Sequence, residues 1–169
     1  ARGGLGEDVE KQADTVAASL AKKLGGSYRL LNLPDDLGLE SAASVREEPR
    51  IKQVLDTIRR ARVVVHGVGT ALEMARRRNL SEAEIVRIQQ LGAVGESFGF
   101  YFNSAGEVVY TTSSLGLRLA DLSSVPAVIC VGGGASKAQA LSAVLRNGFS
   151  HIVVTDEGAA REIEYESGR

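Results

Sequence analysis

The sequence predicts an α/β fold with a mostly parallel sheet and one β-hairpin, and three observations carry that prediction. Short β-branched runs recur along the chain, each run ends in glycine, and each is followed by a segment with helical apolar spacing. Strand, glycine loop and helix in repetition mean parallel strands joined by right-handed crossovers.

The elements follow in order. Val9, Ala13, Val16 and Leu20 mark a long N-terminal helix. Residues 28–33, from Tyr28 to Leu33, read as a strand closed by the turn signal Pro34-Asp35-Asp36. Ile51, Val54, Leu55 and Ile58 recur at three- and four-residue steps and predict a second helix. Arg62-Val63-Val64-Val65-His66 is a continuously apolar strand running into Gly67-Val68-Gly69-Thr70. Two strand-like runs, Phe98-Gly99-Phe100-Tyr101-Phe102-Asn103 and Glu107-Val108-Val109-Tyr110, flank Ser104-Ala105-Gly106 and form the hairpin. Their clustered aromatics read as a packing edge or a subunit contact. Ala127-Val128-Ile129-Cys130-Val131 leads into Gly132-Gly133-Gly134-Ala135-Ser136-Lys137 and a helix through Leu141, Val144 and Leu145. A last run, His151-Ile152-Val153-Val154, leads into Thr155-Asp156-Glu157-Gly158.

Composition narrows the function. The 169 residues fit one domain, and 20 basic against 21 acidic side chains give a net charge of −1. That balance argues against a surface built to grip nucleic acid or an anionic membrane. No apolar run approaches the roughly 18 residues of a membrane span, and the first ten residues hold no hydrophobic signal core, so a cytoplasmic protein is expected. One cysteine and two histidines leave no disulfide framework and too few ligands for a structural zinc; no metal or cofactor is expected. Glycine is enriched, at 19 of 169, and falls in the loops at strand ends.

In an open parallel sheet those ends collect ligands, because backbone N–H groups at helix N-termini are unpaired and partially positive. The loop from Gly132 to Lys137 is the strongest candidate for anion capture. Gly133 and Gly134 let a ligand approach the backbone, Ser136 is a favourable N-cap, and Lys137 places an ammonium in the first turn. It lacks the Gly-Lys-Ser/Thr ending of a nucleotide triphosphate loop. Gly67-Val68-Gly69-Thr70-Ala71-Leu72 begins like a dinucleotide fingerprint but has Leu72 where the third glycine belongs, so a tight turn with Thr70 as cap fits as well. His66 reads as a hydrogen-bonded structural histidine. Arg2 beside Gly3 and Gly4 suits a second phosphate contact. Arg76, Arg77 and Arg78 read as a solvated helix end. Glu96 can accept hydrogen bonds from sugar hydroxyls but repels phosphate. Asp156 and Glu157 are explained by the dipole of the helix they open.

Taken jointly, Arg2-Gly-Gly-Leu-Gly-Glu, Tyr28-Arg-Leu-Leu, Glu47-Glu-Pro, Val65-His-Gly-Val-Gly, Ala75-Arg-Arg-Arg-Asn, Phe98-Gly-Phe-Tyr-Phe-Asn, Gly133-Gly-Ala-Ser-Lys and Val154-Thr-Asp-Glu-Gly-Ala-Ala resemble the effector-binding domain of SorC/DeoR-type bacterial transcriptional regulators, in particular the repressors of central glycolytic genes. The resemblance runs over essentially residues 1–169. It implies a Rossmann-like three-layer sugar-phosphate-binding domain, related to phosphosugar isomerases, with fructose 1,6-bisphosphate as ligand, weakened operator binding as output, and a homo-oligomeric state. It implies ligand contacts at Arg2, Gln12, Arg77, Glu96 and Lys137, which moves Arg77 from solvated face to contact, alongside Gly133, Gly134 and Ser136. Family members also carry a helix-turn-helix domain, a further strand and a Gly-Gly-Thr-Thr phosphate loop, none of which occurs here; the chain is therefore expected to be a fragment, with DNA contacted through the absent domain. Two other readings stay open: a sugar-phosphate isomerase or deaminase using Glu96 and His66, and a nucleotide-binding domain at Gly67.

Overall fold

The computed structural model describes residues 13–31, 44–45, 47–112 and 117–167. The chain divides into two compact units, Ala1–Ile58 and Arg59–Arg169. In the first, helix α1 spans Ala13–Lys23, with Asp14 in its first turn and Lys22 and Lys23 in its last, charges placed as the helix dipole favours. Helix α2 spans Pro49–Arg59. Pro49 opens it with the fixed φ a first turn needs, and the Glu48 carboxylate accepts the Ile51 N–H at 2.8 Å. The strand expected at 28–33 does not form in its described part: residues 28–31 carry no strand. A strand exists only where a neighbour takes up its backbone hydrogen bonds, and no described strand pairs with this segment.

The second unit begins with β1 (Val63–Gly67) and β2 (Gly69–Thr70), then α3 (Ala71–Arg77) and α4 (Glu82–Gln90). Strands β3 (Ala93–Ser97), β4 (Phe100–Asn103) and β5 (Val108–Thr111) follow, then the short α5 (Leu119–Leu122) and β6 (Ala127–Val131). A 3₁₀ turn at Ala135–Lys137, α6 (Ala138–Asn147), β7 (Ile152–Val154) and α7 (Glu157–Ser167) complete it. The expected parallel strands form a sheet in the order β1-β6-β7, with Val65 opposite Ile129 and Ile129 opposite Ile152. Its inner face is Val64, His66, Val128 and Cys130, all buried; on the other face Val63, Val65, Val131, Ile152 and Val154 are exposed.

The expected hairpin is β4 with β5, and it is half of a larger object. Strands β2-β3-β4-β5 make a second, antiparallel sheet, which the sequence conceals because β2 is two residues long and β3, Ala-Val-Gly-Glu-Ser, is neither β-branched nor regularly alternating. This sheet has helices on both faces. On one lies α6, whose small Ala140 and Ala143, with Leu141 and Val144, pack against Phe102, Val68 and Cys130. On the other lie α3 and α4, where Ala71, Ala75 and Ile88 enclose Tyr101. The aromatic cluster is thus interior: Tyr101 and Phe102 are fully buried, and Phe102 stacks on Phe149 at 5.7 Å. It packs this chain's own core.

Candidate functional site

The loops at the carboxyl ends of the parallel strands converge. The 3₁₀ turn after β6 touches both β2 and α7, which gathers Gly69, residues 135–137 and Asp156 at one edge. Gly134 takes φ +92°, a region an L side chain rarely adopts. The turn then closes with the Lys137 N–H donating to the Gly134 carbonyl at 2.9 Å. That extra turn corrects the expected N-cap: Ser136 lies exposed inside the 3₁₀ segment, and Lys137 stands at the cap position of α6. Thr70 stands at the cap position of α3 with extended backbone, but its side chain makes no capping bond.

The backbone here already holds an anion of its own. The Asp156 carboxylate accepts the Gly134 N–H at 2.6 Å and the Ala159 N–H at 2.9 Å. It thereby caps α7 and ties it to the glycine loop, and a Cβ at Gly133 would come within 2.5 Å of its Oδ2. Those N–H bonds hold the exposed carboxyl below its ordinary range. A ligand anion at Gly134 must therefore compete with Asp156, whereas Lys137, half-buried at the same turn, is not in any ion pair among the described residues.

Behind this edge, neighbouring residues of β3 serve two separate polar clusters, because successive side chains of a strand point to opposite faces. Ser97 faces β1. Its hydroxyl donates to the Gly67 carbonyl at 2.9 Å and lies 2.9 Å from His66 Nδ1, while His66 Nε2 lies 2.9 Å from the Ser150 hydroxyl. The arrangement assigns the ring proton to Nδ1, so Nε2 accepts from Ser150. Burial lowers the imidazole pKa, partly opposed by the bond to Gly67, so the ring is kept neutral. His66 is the structural histidine the sequence suggested.

Glu96 points the other way. Opposite Gly69 on β2 and Tyr101 on β4, its carboxylate is ion-paired with Arg78, the residue that ends α3, and accepts the Gly99 N–H. Both side chains are buried, at 7% exposure for Arg78 and 3% for Glu96. Phe98 and Gly99 take φ +57° and +90°, the two left-handed positions of a type I′ hairpin turn. For a phenylalanine this conformation costs about 1–2 kcal/mol. The Glu96 bond to Gly99 and the Phe98 ring, 4.6 Å from His66, hold the turn in place. The Tyr101 hydroxyl lies beside the guanidinium without a well-formed hydrogen bond. Burial first, and the Glu96 charge second, push its pKa well above the usual value.

Of the expected contacts, Gly133, Gly134, Ser136 and Lys137 share the turn after β6, which touches β2, whereas Glu96, opposite Gly69 of β2 in the ladder, turns its side chain to the other face, against Arg78. Arg77 is exposed and pairs with Glu73 at 3.7 Å. Arg2 and Gln12 lie outside the described residues. Two features escaped sequence reasoning. The capping box Ser81-x-x-Glu84, with the Ser81 hydroxyl accepting the Glu84 N–H, announces α4 and was legible. Arg78 as the partner of Glu96 was not, since three consecutive arginines give no sign of which one turns inward. Because Glu96 and His66 sit on opposite faces of β3, they do not aim at one point, which removes the acid–base pair an isomerase would use. Cys130, buried with its thiol pushed up to about 11, offers no nucleophile.

Residues 1–163 match the model of the Sugar-bind family, described as a sugar-binding domain. The chain belongs to this family. The domain is 47% identical over 163 residues to the central glycolytic genes regulators of Bacillus subtilis and Priestia megaterium, covering 96% of this chain and 48% of each of theirs. It thus spans about half the length of these curated relatives. Among solved structures, a protein described as a SorC family transcriptional regulator from Enterococcus faecalis superposes with a TM-score of 0.85 at 44% identity, over 97% of this chain and 67% of that one. These relatives are named as regulators, not enzymes, and the α/β architecture described above is shared with the Enterococcus faecalis structure. No helix among the described residues is long and apolar enough to cross a membrane.

Proposed function

We propose that this sugar-binding domain is the effector sensor of a cytoplasmic, homo-oligomeric repressor of glycolytic genes, and that its effector is fructose 1,6-bisphosphate. The observation that carries the reading is the 47% identity, sustained over 163 residues, to two regulators of central glycolytic genes. The site chemistry agrees with it: Lys137 beside a glycine loop suits a phosphate, and Glu96 suits a hydroxyl-bearing ring rather than a second anion. Arg2, Gln12 and Arg77 complete the proposed contacts, with Gly133, Gly134 and Ser136 lining the loop. DNA is assigned to residues outside 1–169, in keeping with the double length of the relatives and the net charge of −1 here; the same residues are proposed to include a further strand and phosphate loop.

Sensing takes the form of a population shift, in which the bisphosphate binds one conformation better and that difference alters the hold on the operator. Isothermal titration of the intact protein with fructose 1,6-bisphosphate tests it: saturable heat is expected, and none at millimolar ligand overturns the reading. Substituting Lys137→Ala removes a charge-assisted hydrogen bond and is expected to cost about 1.5–3 kcal/mol of binding.

A further inference from the structure

Among the described residues, helices of the second unit cover the parallel sheet on one side only. Strands β1, β6 and β7 follow one another across it in a single direction, and right-handed crossovers between parallel strands taken in one direction all fall on one face. The helices obey this rule: α5 packs with Val64 and Val128, and α6 and α7 pack with Cys130 and Val153, all on the inner face. On the outer face the ladder sets Val65, Ile129 and Ile152 in one row and Val131 and Val154 in the next, with Val63 at the end. None of the strand positions on this face carries a charged or polar side chain, and Val63, Val65, Val131, Ile152 and Val154 are 44–60% exposed.

Water is a poor partner for such a surface. A sheet face that meets solvent alternates polar residues with apolar ones, whereas parallel sheets carry a layer on each face, and a contiguous exposed apolar patch marks an interaction site. The crossover direction denies that second layer to α5, α6 and α7. The relatives show where it can come from: the superposition covers 97% of this chain but 67% of the Enterococcus faecalis protein, so about a third of that solved chain has no counterpart in residues 1–169. We propose that the outer face of the parallel sheet is an intramolecular docking surface, filled in the intact protein by an amphipathic helix from outside residues 1–169. Its rows of branched side chains offer a neutral surface along which the apolar stripe of a helix can lie, with no charge to pair and no polar side chain to satisfy. The surface is independent of which effector the domain binds.

Thiol labelling of the intact protein tests this, with one added cysteine at Val65 or Ile152 on the face, or at Ala105, exposed at the hairpin tip, as the reference. Cys130 is buried with its thiol pushed up to about 11 and stays silent, and rates are read above the wild-type background. A disulfide reagent is expected to modify Val65→Cys and Ile152→Cys about tenfold or more slower than Ala105→Cys, at every protein concentration, since only a rare opening of the docked helix exposes them. Rates equal to that of Ala105→Cys mean an open face and overturn the proposal. Protection that disappears on dilution to the monomer gives the face to a second copy and overturns it too. Ile152→p-benzoylphenylalanine, irradiated and digested for mass spectrometry, then names the occupant. Crosslinks within one chain to peptides outside residues 1–169 are expected; crosslinks confined to residues 1–169, of the same chain or of another, overturn the assignment.

Discussion

Two polar clusters lie back to back across β3, and they differ in how completely their polar atoms are partnered. On the Ser97 side, both ring nitrogens of His66 are partnered, Ser97 donates as well as accepts, and the ring is packed by Phe98 and Phe149. On the Glu96 side, two charges are buried together with Arg78 Nε and the Tyr101 hydroxyl, neither of which makes a well-formed hydrogen bond. A fully satisfied buried network rigidifies a fold, and an incompletely satisfied one is costly to keep. Adjacent residues of one strand thus do different work, because the pleat sends one into the core between the sheets and the other beneath α3 and α4.

The largest expected effect comes from opening the charged cluster. Glu96→Leu leaves the Arg78 guanidinium buried without its carboxylate and frees the Gly99 N–H, so about 3–5 kcal/mol of stability should be lost. Urea unfolding reads this as a lower midpoint at unchanged slope. The double variant Arg78→Met, Glu96→Leu should recover most of the loss, since the penalty is chiefly an unpaired buried charge. A double variant no more stable than the single one breaks the comparison, for it makes the pair a structural necessity. The next effect belongs to the closed face. A Cβ at Gly95 would lie 2.8 Å from both Cα and Cβ of Ala140 on α6, and backbone cannot swing aside as a side-chain tip can. Gly95→Ala is expected to cost about 1–3 kcal/mol by overpacking, in the same unfolding measurement. Ser97→Ala, which strips His66 Nδ1 of its hydroxyl partner but leaves the Gly67 carbonyl 3.1 Å away, should cost about 1 kcal/mol.

The same division marks how far the sequence could be read. The parallel strands announce themselves through β-branched runs such as Val63-Val64-Val65, because β-branched side chains favour extended backbone, although only alternate residues of the run, such as Val64, are buried among the described residues. His66 was legible for the same reason: a single imidazole in such a run has to find partners. The antiparallel sheet was only half visible. Its outer hairpin carries Phe100, Tyr101 and Phe102, whereas β3 is written in small and polar residues chosen to fit against α6 and to carry Glu96. Of the candidate site, the glycine loop and Lys137 were readable from type and spacing alone. The use of the Gly134 amide by Asp156, and the choice of Arg78 over its two neighbours for the inward position, depend on chain geometry that no local pattern encodes.

The smallest expected effect distinguishes the clusters by pH. Burial lowers the His66 pKa below its ordinary 6.5, so between those two values the unfolded chain binds a proton that the folded one refuses. Stability should be level with respect to this group above about pH 7 and decline as pH falls from 6.5 towards the lowered folded value, by at most about 1.4 kcal/mol for each pH unit crossed. Below the folded value the contribution flattens. Thermal melts from pH 7.5 to 5 measure the slope, and His66→Phe should remove the part of it due to this ring. If the slope survives that substitution undiminished, His66 is not the neutral, closed element described here, and the contrast across β3 loses its quieter half.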